Sequence, residues 1–176
     1  LVVDIGGGST EFVFGTTSVE SAKSVNIGCV RMTERHFAHD PATTVQVAAA
    51  SADIKEAIAT AASIVPITQA KTLIAVAGTA TTVAAAALNL SEYDRYAIHL
   101  SRISAAQVHD ASHMFLTKSR EERLTLGYMH PGRVDVIPAG ALVLSHIMST
   151  TGASEFVASE SDILDGIARS LAGKSA

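Results

Sequence analysis

The chain is poor in the residues that most often announce a function. In 176 residues it has one cysteine, Cys29, and no tryptophan. A single cysteine excludes a disulfide framework and a cysteine-cluster zinc site, and a lone thiol fits a reducing cytoplasm. With aromatics at 5% of the chain, stacking platforms for single-stranded nucleic acid are not expected. No apolar run approaches the ~20 residues of a membrane span, and no signal peptide is recognisable. Charge is sparse as well, with 13 Lys and Arg against 17 Asp and Glu and a net charge of −4. Without a basic stripe, neither nucleic acid nor a membrane is an expected partner. The chain has no initiator Met and opens in a buried-looking strand, which reads as a piece of a longer protein.

What is abundant is alanine, which carries much of the 48% hydrophobic content and suggests closely packed helices. The length suffices for one domain, spanning 1–176, with a real core. The most informative stretch is Asp4-Ile5-Gly6-Gly7-Gly8-Ser9-Thr10-Glu11, set between Leu1-Val2-Val3 and Phe12-Val13-Phe14. It reads as strand, glycine turn, strand, with an acid at each end of the turn. Bare N–H groups and hydroxyls in a tight turn form a concave donor nest for phosphate oxygens. The flanking carboxylates suit hydrated Mg²⁺ or an activated water. No Lys follows the glycines, so this is not a Walker A loop. Glu11 occupies the place of the third glycine of a dinucleotide fingerprint, and a strand follows instead of a helix. A hairpin phosphate loop remains, beside the plainer reading of a polar tight turn.

Val19–Ile27 continues as a third strand, Arg31–Ala38 as a short helix, and Thr43–Val65 as an alanine-rich helix with Ile54, Ile58, Ala61 and Val65 at helical spacing. Thr72–Ala77 reads as a buried parallel strand, followed by Gly78-Thr79-Ala80-Thr81-Thr82 opening a helix. A minor strand is expected at Ala97–Leu100. Ser104-x-x-Gln107 and Ser119-x-x-Glu122 are capping boxes. Val134, Ile137, Ala141, Leu144 and Met148 mark a helix containing Pro138 and Gly140, which suggest a kink or a close backbone approach. Ser154–Ala158 is a last strand, and Ile163, Leu164, Ile167 and Leu171 give a closing amphipathic helix. The expected fold is α/β, a mixed five-stranded sheet with helices on both faces. Both glycine turns fall at strand ends, where such sheets bind ligands, so they can share one cleft.

Gly78, Thr79 and Thr81 open a helix, where unpaired N–H groups and the positive dipole end favour an anion; helix capping by Thr79 is the alternative. Arg31 and Arg35 are four apart on one helix face and are candidates for guiding a polyanion. Arg120, Arg123 and Arg133 form a looser second set, and ordinary solvated charges are the alternative for all five. His109 and His113 imitate a zinc spacing without a third ligand, and His36 and His39 a weaker one; surface histidines are the default.

LVVDIGGGSTEFVFG resembles the second phosphate motif of the exopolyphosphatase/guanosine pentaphosphate phosphohydrolase (Ppx/GppA) family, of the actin-like ATPase superfamily. The likeness continues through Asn26–Arg35, AVAGTATTVAA (Ala75–Ala85), Arg133–Ile137 with Gly140, and Ile163-Leu164-Asp165-Gly166. The last departs from the usual Leu-Arg-Glu-Gly, with Leu164 at the Arg position. The resemblance implies a ribonuclease H-like domain, the second, C-terminal half of a two-domain phosphatase whose N-terminal domain, with a catalytic Glu, is missing. It implies hydrolysis of the terminal phosphoanhydride of polyphosphate or guanosine pentaphosphate with Mg²⁺, the fragment alone being inactive. Asp4 and Glu11 would be the catalytic and metal-holding acids. Gly6, Gly7, Gly8, Ser9 and Thr10 would cradle the terminal phosphate, Gly78, Thr79 and Thr81 would face the next phosphates, and Arg31 would bind the anion. A homodimer is compatible with this. The rival readings are a regulatory module that binds polyphosphate or nucleotide, and a small-molecule or polyphosphate kinase of the same superfamily.

Overall fold

A computed structural model of the chain describes residues 1–173. β1 (Val2–Ile5), β2 (Thr10–Gly15) and β3 (Val19–Val25) form the expected antiparallel meander. β4 (Ile74–Val76) lies parallel to β1, and β6 (Glu155–Ala158) lies parallel to β4. A short β5 (Arg102–Ser104) closes the edge antiparallel to β6, giving the order β3-β2-β1-β4-β6-β5. The mixed sheet thus has six strands, not five.

The extra strand lies beyond the segment expected to supply a minor one. The Asp94 carboxylate accepts from the N–H groups of Tyr96 and Ala97 and caps a one-turn helix, α4 (Arg95–Ile98). A side-chain cap at that position makes the helical turn favourable and removes Ala97–Leu100 from the sheet. The strand starts after it, where buried Ile103 alternates with exposed Arg102.

The other helices are α1 (Cys29–His36), α2 (Thr44–Ala62), α3 (Ala77–Ala87), α5 (Ala105–Thr117), α6 (Arg120–Leu124), α7 (Ile137–Thr151) and α8 (Ile163–Ala172). Both expected capping boxes form, Ser104 with Gln107 and Ser119 with Glu122. None of the described helices is long and apolar enough to cross a membrane.

The core lies on the sheet face that carries Val3, Ile5, Phe12, Ala75, Phe156 and Ala158, all essentially buried. Helix α3 touches β1, β4 and β6, and α7 packs on β1 and on α3. Alanine makes this closeness possible. Ala80, Ala84 and Ala85 of α3 have no exposed surface, and a larger side chain there would overpack at a cost of about 1–3 kcal/mol.

Helix α7 starts at Ile137, three residues later than the apolar spacing suggests. Pro138 therefore occupies the first turn, where the missing N–H costs nothing, and it does not kink the helix. Gly140 has the other expected role. A Cβ there would come within 2.7 Å of the Thr79 hydroxyl and 3.1 Å of Cys29 Cβ, so glycine lets α7 approach both α3 and α1.

Candidate active site

The turn between β1 and β2 is built by mutual hydrogen bonding with the start of α1. The N–H groups of Cys29 and Val30 donate to the carbonyls of Gly6 and Gly7 at 2.9 Å each, and that of Arg31 to Gly7 at 3.1 Å. Gly28 precedes them at an ordinary φ of −75°. It is needed for room: a methyl at Gly28 would overlap the backbone of Gly7 and Ser9. The glycine turn is thus the N-terminal cap of α1, supplying the acceptors that a side chain usually provides.

This arrangement sorts the turn residues. The Gly6 N–H donates to the Ser9 carbonyl at 3.0 Å and is consumed inside the turn. The N–H groups of Gly7 and Gly8 have no protein acceptor among the described residues, and both residues are exposed. Thr10 is fully buried, and its hydroxyl donates to the Ile27 carbonyl at 3.0 Å. It faces the core, on the side shared with Phe12, and leaves the set of phosphate contacts. The Ser9 hydroxyl donates to Glu11 at 2.7 Å, and Ser24 on β3 donates to the same oxygen at 2.6 Å. Two hydroxyls therefore fix the Glu11 carboxylate. Arg31 is exposed and donates from Nε to the Gly8 carbonyl at 2.7 Å, which holds its guanidinium beside the turn.

Asp4 and Glu11 are directly paired across the antiparallel strands. Like charges in that position repel. Asp4 is held above the usual carboxylate range, first by burial, then by the charges of Glu11 and of Asp162, the N-cap of α8. Three acids from β1, β2 and the loop after β6 thus make one negative wall. Mg²⁺ characteristically keeps several waters and takes one or two carboxylates. A half-buried pair whose mutual repulsion a cation would relieve fits that ion. No group of three or more His, Cys, Asp or Glu side chains with metal-binding geometry occurs among the described residues.

The second loop follows β4. Ala77 has φ 69°, an uncommon left-handed conformation for a residue with a Cβ, and turns the chain abruptly into α3. Val76 precedes this helix without a side-chain cap, so the first-turn N–H groups, including those of Gly78 and Thr79, have no side-chain acceptor. Thr79 does not cap the helix. The three threonines are buried: Thr79 packs with Cys29 against Gly140, Thr81 bonds the Tyr93 phenol, and Thr82 donates to the Gly78 carbonyl at 2.7 Å. The Thr81 and Thr82 hydroxyls are engaged by protein groups, and the uncapped start of α3 leaves its backbone N–H groups without a side-chain acceptor.

Both loops open into one cavity of about 200 Å³, bounded by Gly6, Gly7, Cys29, Gly78, Thr79 and Arg133. Arg133 is the residue that sequence reasoning left in a loose set. Its guanidinium lies on Gly78, where even a Cβ would collide with it, and reaches Thr82 at 3.4 Å. No carboxylate lies within 4 Å of it among the described residues. A cation resting on the positive end of a helix is electrostatically costly without an anion between them. The spacing Gly78 to Arg133 gave no signal; only the clash at Gly78 reveals it. A larger groove of about 630 Å³ at the opposite end of the strands, lined by Val2, Phe14, Gly15 and Thr72, has Lys71 as its one charged side chain. Each cavity has a single charged side chain in its lining. The smaller is singled out because its cation, Arg133, lies on an uncapped helix start beside the Gly7 N–H of the glycine turn, which has no protein acceptor among the described residues.

The other candidate arginines, Arg31 apart, are committed elsewhere. Arg35 and His36 share Asp53, Arg120 pairs with Asp135, and buried Arg123 pairs with Asp40 at 2.5 Å while donating to the carbonyls of Phe115, Lys118 and Val134. Arg123 pins α6 against the turn before α7. His109 bonds Ser145 on α7, and His39 bonds Gln46.

The family model described as the Ppx/GppA phosphatase family matches residues 1–174. The chain is 43% identical over 177 residues to a protein named exopolyphosphatase 2 from Mycobacterium tuberculosis, covering 98% of this chain and 56% of that protein. Among solved structures, an exopolyphosphatase-like protein superposes with a TM-score of 0.94 at 40% identity, over 99% of this chain and 60% of that one. The Aquifex aeolicus Ppx/GppA phosphatase gives 0.84 at 27% identity, over 96% and 55%. The chain spans a little over half the length of these relatives. The mixed sheet with its helices is the α/β fold of those phosphatases, and with a family model over nearly its whole length the chain belongs to the Ppx/GppA phosphatase family.

Proposed function

We propose that this chain supplies half of the active site of a phosphoanhydride hydrolase that releases the terminal phosphate of inorganic polyphosphate. The observation that carries the reading is Arg133, without a carboxylate partner, lying on the uncapped start of α3 in the cavity shared with the glycine turn. Asp4 and Glu11, with Asp162 near Asp4, flank the glycine turn whose Gly6 and Gly7 border the same cavity. A chain of phosphates bearing a divalent cation matches both the arginine and the acids. The relatives named exopolyphosphatase supply the substrate class.

In this mechanism the N–H groups of Gly7 and Gly8, with Arg31, hold the terminal phosphate. The N–H groups of Gly78 and Thr79, with Arg133, hold the phosphates that follow. Asp4 and Glu11 are the residues that would hold Mg²⁺, which neutralises charge on the phosphoryl oxygens when bound. Glu11, fixed by Ser9 and Ser24, orients the attacking water. Water forms the new O–P bond as the bridging P–O bond breaks, and its proton goes to a base in the part of the protein that relatives carry beyond the matched region.

The test is Mg²⁺-dependent phosphate release from long-chain polyphosphate, by this chain and by a longer protein that contains it, with guanosine pentaphosphate as a second substrate. Release by the longer protein alone is expected. Release by neither overturns the reading. Release from guanosine pentaphosphate only would move the substrate class and keep the site.

A further inference from the structure

The loop between α3 and α4 brings Tyr93 against Thr81 of α3. Its phenolic oxygen lies 2.6 Å from Glu160 Oε1 and 2.8 Å from the Thr81 hydroxyl. A phenol has one proton, and a carboxylate can only accept. The proton therefore goes to Glu160, the shorter and charge-assisted contact, and Thr81 donates to the phenolic oxygen. Burial first, then the bond to Glu160, push the phenol above its ordinary range, so it stays protonated. The Arg133 guanidinium, which reaches the neighbouring Thr82 hydroxyl at 3.4 Å, also acts on this phenol and pulls it the other way, toward its ordinary range. The main chain at Glu160 is anchored by its backbone N–H, which donates to His99 Nδ1 at 3.2 Å.

We infer that Tyr93 is a positioning residue for Arg133, a link by which Glu160 orients the guanidinium without neutralising it. Resting on the phosphoanhydride reading above, the inference assigns a role to a residue that contacts no phosphate itself. The chemistry explains the intervening phenol. A carboxylate directly against Arg133 would form an ion pair and compete with the substrate anion. A hydroxyl between them transmits direction and leaves the positive charge uncompensated. It also ties the loop after β6, through Glu160, to α3, through Thr81.

The experiment is a double-mutant cycle in the longer protein, measuring kcat and KM for polyphosphate with Tyr93→Phe, Arg133→Ala and the pair. Tyr93→Phe is expected to raise KM about 3–10-fold, the loss of one or two hydrogen bonds, with kcat nearly unchanged and the melting temperature lower by roughly a few degrees. In the Arg133→Ala background the same change should have no further effect. Thr81→Val, which removes one arm of the network, should raise KM in the same direction by less. An unchanged KM in Tyr93→Phe, or an equal rise in both backgrounds, overturns the inference. If Arg133→Ala itself leaves KM unchanged, it is the phosphate site that fails, and the two failures are thereby told apart.

Discussion

Helices α1 and α3 both begin at the same end of the sheet and border the same cavity, yet their N-termini are finished in opposite ways. At α1 the first N–H groups are spent on the carbonyls of Gly6 and Gly7. At α3 no side chain caps the start, and an arginine without a carboxylate partner lies across it. The first helix start is closed by protein and holds the glycine turn in shape. The second is left open. A helix N-terminus is therefore no evidence of an anion site until its donors have been accounted for.

The largest expected effect breaks the closed end. In Gly28→Ala the added methyl meets main chain of the turn, which cannot swing aside as a side chain can. A loss of about 3 kcal/mol or more is expected, read as a lower denaturation midpoint of this chain. A midpoint equal to the parent's would mean that the turn and α1 are not held in contact.

Breaking the open end should spare the fold and cost affinity. Arg133→Ala in the longer protein is expected to raise KM for polyphosphate about 10–100-fold, the worth of charge-assisted hydrogen bonds to phosphate. Its melting temperature without substrate should hold or rise, because a cation is removed from a helix's positive end.

Asp4→Asn sharpens the contrast from the acidic side. The folded protein holds the Asp4 proton to higher pH than the unfolded chain does, so ionisation costs stability as pH rises through and above the ordinary value of 3.8. Without Mg²⁺ the variant should therefore melt higher than the parent at pH 7, the gap closing as pH falls below that value. Adding Mg²⁺ should stabilise the parent and not the variant. A variant less stable at neutral pH would contradict the crowding of Asp4, Glu11 and Asp162.

Thr10→Val is the smallest change. It leaves the Ile27 carbonyl without its partner and should cost about 1 kcal/mol of stability, with kcat and KM for polyphosphate unchanged. A rise in KM would return Thr10 to the phosphate contacts.

The hairpin with its three glycines was legible because turn and strand preferences act between neighbours. Alternation alone also puts Asp4 and Glu11 across from one another once the turn length is known. What local pattern could not reveal is which groups remain free. Gly6 and Gly7 look equivalent in sequence, but the turn consumes the first N–H and leaves the second. Thr79 and Thr81 look like ligand hydroxyls until α7 and α1 pack on the first and Tyr93 bonds the second. The α4 cap was readable in principle from Asp94, whose short side chain overrode the apolar run after it.

The sequence by itself determined the glycine hairpin, the α/β pattern and the family, since these rest on residue order over short spans. Only the tertiary structure decided which donors face the cavity and which cation faces them. Arg133 meets Gly78 because α7 packs on α3 through Gly140 and Thr79. A contact between residues 55 apart in sequence depends on volumes filled by other side chains. No short-range pattern encodes that filling.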